Sequence, residues 1–155
     1  PGSTTFERVE LGYTISDNKR LFIADFNGDG RADFAHCVPV NQRFEFFMSS
    51  HGTLAADPIP FRRFTSFSGR SLPCHTYTSG NSVDDYDHLV IGDFNGDGKA
   101  DFITPYVNEI WLSSGSAFVS SGSLGGTFGP LSYVMLPADF NGDGKDDLFI
   151  YSNRY

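Results

Sequence analysis

The nine residues Asp25-Phe26-Asn27-Gly28-Asp29-Gly30-Arg31-Ala32-Asp33 return as Asp93 to Asp101 and again as Asp139 to Asp147. A segment repeated this closely commits the chain to a fold assembled from like units. Successive copies begin 68 and 46 residues apart, so the first interval carries 22 extra residues. The shorter interval suits a unit of about four short strands.

The flanks repeat as well. Leu21-Phe22-Ile23, Leu89-Val90-Ile91 and Val134-Met135-Leu136 precede the loops, and Asp33-Phe34-Ala35, Asp101-Phe102-Ile103 and Asp147 to Tyr151 close them. Short apolar runs bounded by turn residues read as strands, so each loop joins a β-hairpin. A third strand is expected at Phe44 to Ser50 and at Glu109 to Ser114, both closing in Ser-Ser, and a fourth at Phe61 to Phe67 and at Ala117 to Ser120. No long window keeps a helical period without Gly or Pro intervening. The expected fold is all-β, with residues 68–86 as an inserted loop and 113–130 as a Gly/Ser-rich connection.

The loop residues suit a hard cation. Ca²⁺ takes about six to eight oxygen ligands, so a short loop must turn alternate oxygens toward one point. Positions one, three, five and nine offer Asp25, Asn27, Asp29 and Asp33, with the carbonyl of Arg31 at position seven. The second loop offers Asp93, Asn95, Asp97, Asp101 and the Lys99 carbonyl; the third offers Asp139, Asn141, Asp143, Asp147 and the Lys145 carbonyl. An EF-hand would carry a bidentate Glu at position twelve. That place falls here on His36, Thr104 and Ile150, and the flanks are strands, so the EF-hand and the equally helical dockerin are excluded. Mg²⁺, which prefers octahedral sites rich in water, fits less well. The competing reading is that Asn-Gly-Asp-Gly is simply good hairpin-turn chemistry. Three copies that all keep an Asp beyond the turn argue for metal: three Ca²⁺ sites of structural character.

Charge agrees. The formal net charge is −8, and nine of the nineteen acidic residues occupy the repeated Asp positions, leaving ten against eleven Lys and Arg elsewhere. Three Ca²⁺ would bring −8 to −2. Nucleic acid is excluded as a partner because its affinity comes from basic residues neutralising phosphates. No apolar run approaches the length of a membrane span. Pro1-Gly2-Ser3 reads as a remnant of tag cleavage, leaving residues 4–155 as one domain of repeats at about 20–86, 88–132 and 133–155. Cys37 and Cys74 leave open either one disulfide or two small buried hydrophobes.

Asp-x-Asn-x-Asp-Gly-x-x-Asp between strands resembles the FG-GAP or VCBS repeat of integrin α-subunit propellers, of fungal and bacterial propeller lectins, and of bacterial surface and toxin proteins. The resemblance covers residues 20–49, 88–114 and 133–151. It implies β-propeller blades in which the loop joins the first two strands, the ligand positions named above, and a secreted or cell-surface location. Family propellers close with about six or seven blades, against three loops here. The expectation is therefore a longer chain or a homo-oligomer, with the stretch from Phe6 to Thr14 completing a neighbour's last blade.

Catalysis has no visible carrier. His36, His51, His75 and His88 share no spacing, and no nucleophile or phosphate-loop motif is present. The sequence therefore points to a non-catalytic recognition module, lectin-like by resemblance and binding glycans, with a protein-binding or spacer segment as the alternative. Trp111, Tyr77 and Tyr133 are the aromatic candidates for a sugar platform, with core packing the favoured reading for Trp111, which sits at an apolar strand position.

Overall fold

The computed structural model describes residues 21–38, 43–49, 61–64, 89–104, 108–126 and 133–152. Among these residues the regular structure is ten strands: β1 (Leu21–Ala24), β2 (Asp33–Val38), β3 (Arg43–Ser49), β4 (Phe61–Phe64), β5 (Val90–Gly92), β6 (Asp101–Thr104), β7 (Glu109–Ser113), β8 (Phe118–Ser123), β9 (Tyr133–Ala138) and β10 (Asp147–Ser152). They form three antiparallel sheets in the orders β1-β2-β3-β4, β5-β6-β7-β8 and β10-β9. Each sheet carries one loop, giving units one, two and three. The fold is all-β, with no helix among the described residues and so none able to cross a membrane.

The three hairpins share one register. Ala24 pairs with Asp33, Gly92 with Asp101 and Ala138 with Asp147, so the ninth loop residue always opens the returning strand. Period-two alternation then sorts the side chains. In β1, Leu21 and Ile23 face outward while Phe22 and Ala24 are half-buried against the core. Strand β8 runs further than its sequence suggests, to Ser123, through residues expected to be connection. As an edge strand it pairs on one side only, and its five residues after Phe118 are exposed, so it needs no apolar alternation. A bulge at Ile110/Trp111 lies opposite, and Gly122 supplies a φ of 118°.

The core is aromatic and is shared between units. Phe26, Phe46, Phe102, Trp111 and Phe118 pack with Ala35 and Met48. Phe26 stands at its centre although it belongs to a loop: its ring lies 5.4 Å from Phe46 of its own unit, 5.3 Å from Phe102 and 6.3 Å from Phe118 of unit two. Burying such a ring stabilises by roughly 2–3 kcal/mol, so the first loop is anchored by the next sheet.

Backbone bonds reinforce this joint and repeat at the following one. The Ala100 N–H donates to the Asp25 carbonyl at 2.7 Å, and the Asp146 N–H donates to the Asp93 carbonyl at 2.8 Å. Both donors hold position eight of the later loop, and both acceptors hold position one of the earlier. The Ser113 hydroxyl adds a 2.6 Å bond to the Phe26 carbonyl. The N-terminal stretch at 6–14, the insertion at 68–86 and Cys74 lie outside the described residues, as do the Cys37 side chain and the remainder of the expected fourth strand at 65–67.

Candidate metal centre

Each loop winds its backbone around its first aspartate. In the first, Asp25 Oδ1 accepts the N–H of Gly28 (2.7 Å) and Asp29 (3.2 Å), and Oδ2 accepts that of Gly30 (2.6 Å). Asn27 Oδ1 accepts the Asp29 N–H at 2.9 Å, and Asp29 Oδ1 accepts the Arg31 N–H at 3.0 Å. The amide of Asn27 donates to Asp29 Oδ2 at 3.2 Å. This tight path requires positive φ at Gly28 (79°) and Gly30 (81°), which only glycine adopts without strain.

The web is reproduced bond for bond in the other loops. Asp93 receives Gly96, Asp97 and Gly98, and Asp139 receives Gly142, Asp143 and Gly144. Asn95 and Asn141 likewise accept from Asp97 and Asp143, whose own carboxylates accept from Lys99 and Lys145. The structure thus brings positions one, three and five of every loop into one hydrogen-bonded group.

Position nine does a different job. Asp33 is buried at the loop base, where Oδ2 accepts the Phe26 N–H (3.0 Å) and Oδ1 the Ser49 N–H (2.8 Å). Asp101 repeats this with Phe94 (3.0 Å) and Ser113 (2.7 Å). The ninth aspartate therefore ties the loop to the end of the third strand. Sequence reasoning assigns it to metal alone; the tie runs through backbone N–H groups, which leave no mark in the sequence. In the third loop Asp147 keeps the bond from Phe140 (3.2 Å), while its Oδ1 meets only the Asn141 amide at 3.5 Å.

Electrostatics follow from these positions. Burial pushes the Asp101 carboxyl up to about 6, with the charges of Asp97 and Asp93 adding to it and the N–H bonds from Ser113 and Phe94 opposing it. Asp33 is raised in the same way. For Asp97 desolvation raises the pKa, but hydrogen bonds from Lys99 and Asn95 and the Lys99 charge together outweigh it, and its pKa falls; the Lys99 ammonium lies 2.9 Å from its Oδ2. Asp139 is lowered by the N–H bonds of Gly144, Gly142 and Asp143.

The donor set fits Ca²⁺ in kind, being entirely hard oxygen. In the arrangement described, the carboxylates are turned onto backbone N–H groups, and among the described residues no cluster of three or more His, Cys, Asp or Glu side chains is gathered as a metal cage. Asp25 Oδ1 accepts two N–H groups, but its Oδ2, Asn27 Oδ1 and the two Asp29 oxygens accept one each and keep a second lone pair, so the web and a cation are chemically compatible through those oxygens.

The other candidates sort plainly. Trp111 is a core residue, 3% exposed, and cannot serve as a sugar platform. His36 faces Glu45 across β2 and β3 at 3.8 Å, both buried, which is a packing role. His51, His75, His88, Tyr77 and the Tyr133 side chain lie outside the described residues. An open depression of about 380 Å³ between units one and two is lined by Ile23, Ile91, Asp25, Asp93 and Lys99. Comparison with protein-family models, with curated proteins and with solved structures finds no match for the chain.

Proposed function

We propose that the chain is a calcium-binding, non-catalytic recognition module built from β-propeller-type units, with carbohydrate as its ligand class. The observation that carries the calcium reading is the threefold recurrence of one all-oxygen donor set on one backbone path, at Asp25 to Asp33, Asp93 to Asp101 and Asp139 to Asp147. Turn chemistry alone accounts for positions one to six. It does not account for crowding three carboxylates into each loop, where like charges repel and, in the first two loops, burial penalises the ninth. A divalent cation would neutralise them and fix the loop. The depression between units one and two, with apolar walls and a few charged groups, is of the kind that accepts a small polar ligand.

Calcium titration by calorimetry and thermal unfolding tests the first part. Binding that saturates a site a hundredfold above its Kd stabilises by about 2.7 kcal/mol, so the melting temperature should rise by several degrees and fall back on chelation. No heat and no shift would refute the calcium reading. A glycan array in calcium and in chelator tests the second part. The exposed rings of Phe149 and Tyr151, 5.9 Å apart, favour a protein-binding role as the second reading. A blank array with intact calcium-dependent stability would select it.

A further inference from the structure

The joints between units identify a surface that lacks its counterpart. At the joint of units one and two, the position-one carbonyl of Asp25 meets the position-eight N–H of Ala100, and Gly28 at position four lies under the Lys99 stem, its would-be Cβ 2.7 Å from Lys99 Cγ. At the joint of units two and three, Asp93 meets Asp146 and Gly96 lies under Lys145 at 3.0 Å. The contact is thus one design used twice: the loop of the earlier unit against positions seven and eight of the later.

Unit three presents the same loop with nothing over it among the described residues: none of their atoms lies within 4 Å of a Cβ built at Gly142. The position-two phenylalanine shows the change most clearly: Phe26 is 0% exposed, Phe94 is half-buried and Phe140 is 62% exposed. At the other end, positions seven and eight of unit one, Arg31 and Ala32, are exposed, whereas Lys99 and Ala100 are half-buried against a preceding loop.

We propose that the exposed loop of unit three is a docking surface for unit one of a second copy of this chain. Asp139 and Gly142 take the places of Asp25 and Gly28, and Arg31 and Ala32 of the second copy take those of Lys99 and Ala100. Arg31 supplies a long aliphatic stem of the kind that covers Gly28 and Gly96. The two faces differ, so the contact is head-to-tail, and it propagates into a ring or an open chain of copies. The proposal stands on the joints within the chain and does not depend on calcium or glycan binding.

Sedimentation velocity over a hundredfold concentration range, in buffer with millimolar calcium, tests it. The chain should pass from monomer to larger species. Phe140→Asp blocks the outgoing face and Ala32→Arg the incoming one; both sites are exposed, and circular dichroism should show each variant folded. Each variant alone should associate at least tenfold more weakly. Mixed together they should form a two-chain species, because one intact outgoing face then meets one intact incoming face. A chain that stays monomeric throughout, association that neither variant weakens, or a mixture that stays monomeric would overturn the proposal.

Discussion

The ninth aspartate of each loop shows how one residue type acquires different weight from its surroundings. Asp101 is fully buried and accepts N–H bonds from Phe94 and Ser113 with its two oxygens. Removing it orphans both donors, so Asp101→Ala should cost about 2–4 kcal/mol. Asp147, half-buried and with one backbone bond among the described residues, should cost under about 1 kcal/mol on the same change. Urea unfolding followed by the fluorescence of buried Trp111 measures both. The raised pKa of Asp101 also sets a pH dependence. Its folded form holds the proton more tightly than the unfolded form, whose pKa is near 3.8. This contribution is fully present below that value and is lost as pH rises through about 6. In chelator, stability should therefore decline from pH 5 to about 7. Under the proposed calcium binding, the cation competes with the same proton, so the increment it adds should grow over that range. A calcium increment independent of pH would separate Asp101 from the metal.

At the scale of elements, the loops act as packing elements as much as connections. Phe26 and Phe140 hold the same motif position, yet one is enclosed by Phe46, Phe102 and Phe118 while the other is exposed. Phe26→Ala should destabilise by about 3–5 kcal/mol. At dilutions where the chain is monomeric, Phe140→Ala should change stability by less than about 0.5 kcal/mol. Chemical denaturation of the two variants side by side checks this. The contrast also marks what was legible beforehand. Strands β1, β2, β5, β6, β9 and β10 were readable because an apolar run meets the Asp-Gly turn at a fixed offset, a local signal. The burial of Phe26 depends on a ring 76 residues away at Phe102, which no local pattern records. The tie from Asp33 to Ser49 spans 16 residues and is made by a backbone N–H, so no side chain in the sequence records it. Trp111, at an apolar strand position, already favoured core over platform in the sequence, and its 3% exposure agrees.

For the whole molecule, the joints make neighbouring units interdependent. Gly92 lies at the second joint, where an added methyl would meet Asp146 Oδ2 at 2.7 Å and the Phe94 ring at 3.1 Å. Gly92→Ala should displace Asp146 from its bond to the Asp93 N–H and cost about 1–3 kcal/mol. Thermal unfolding of this variant in calcium, compared with the parent, is the measurement. A chain of like units joined by like contacts behaves as a sum of unit and neighbour terms, so loosening one joint should broaden the transition as well as lower it.

The direction of those joints has a consequence in time. Every loop has the same internal web, but the first is clamped by a full four-stranded sheet, the second by a two-stranded one, and the third by nothing among the described residues. Opening free energy should therefore fall along the chain while the sequence stays nearly constant. Hydrogen exchange would record it as a gradient, with the amides of Gly28, Gly96 and Gly142 exchanging slowest to fastest, so that three copies of one phrase keep three different clocks.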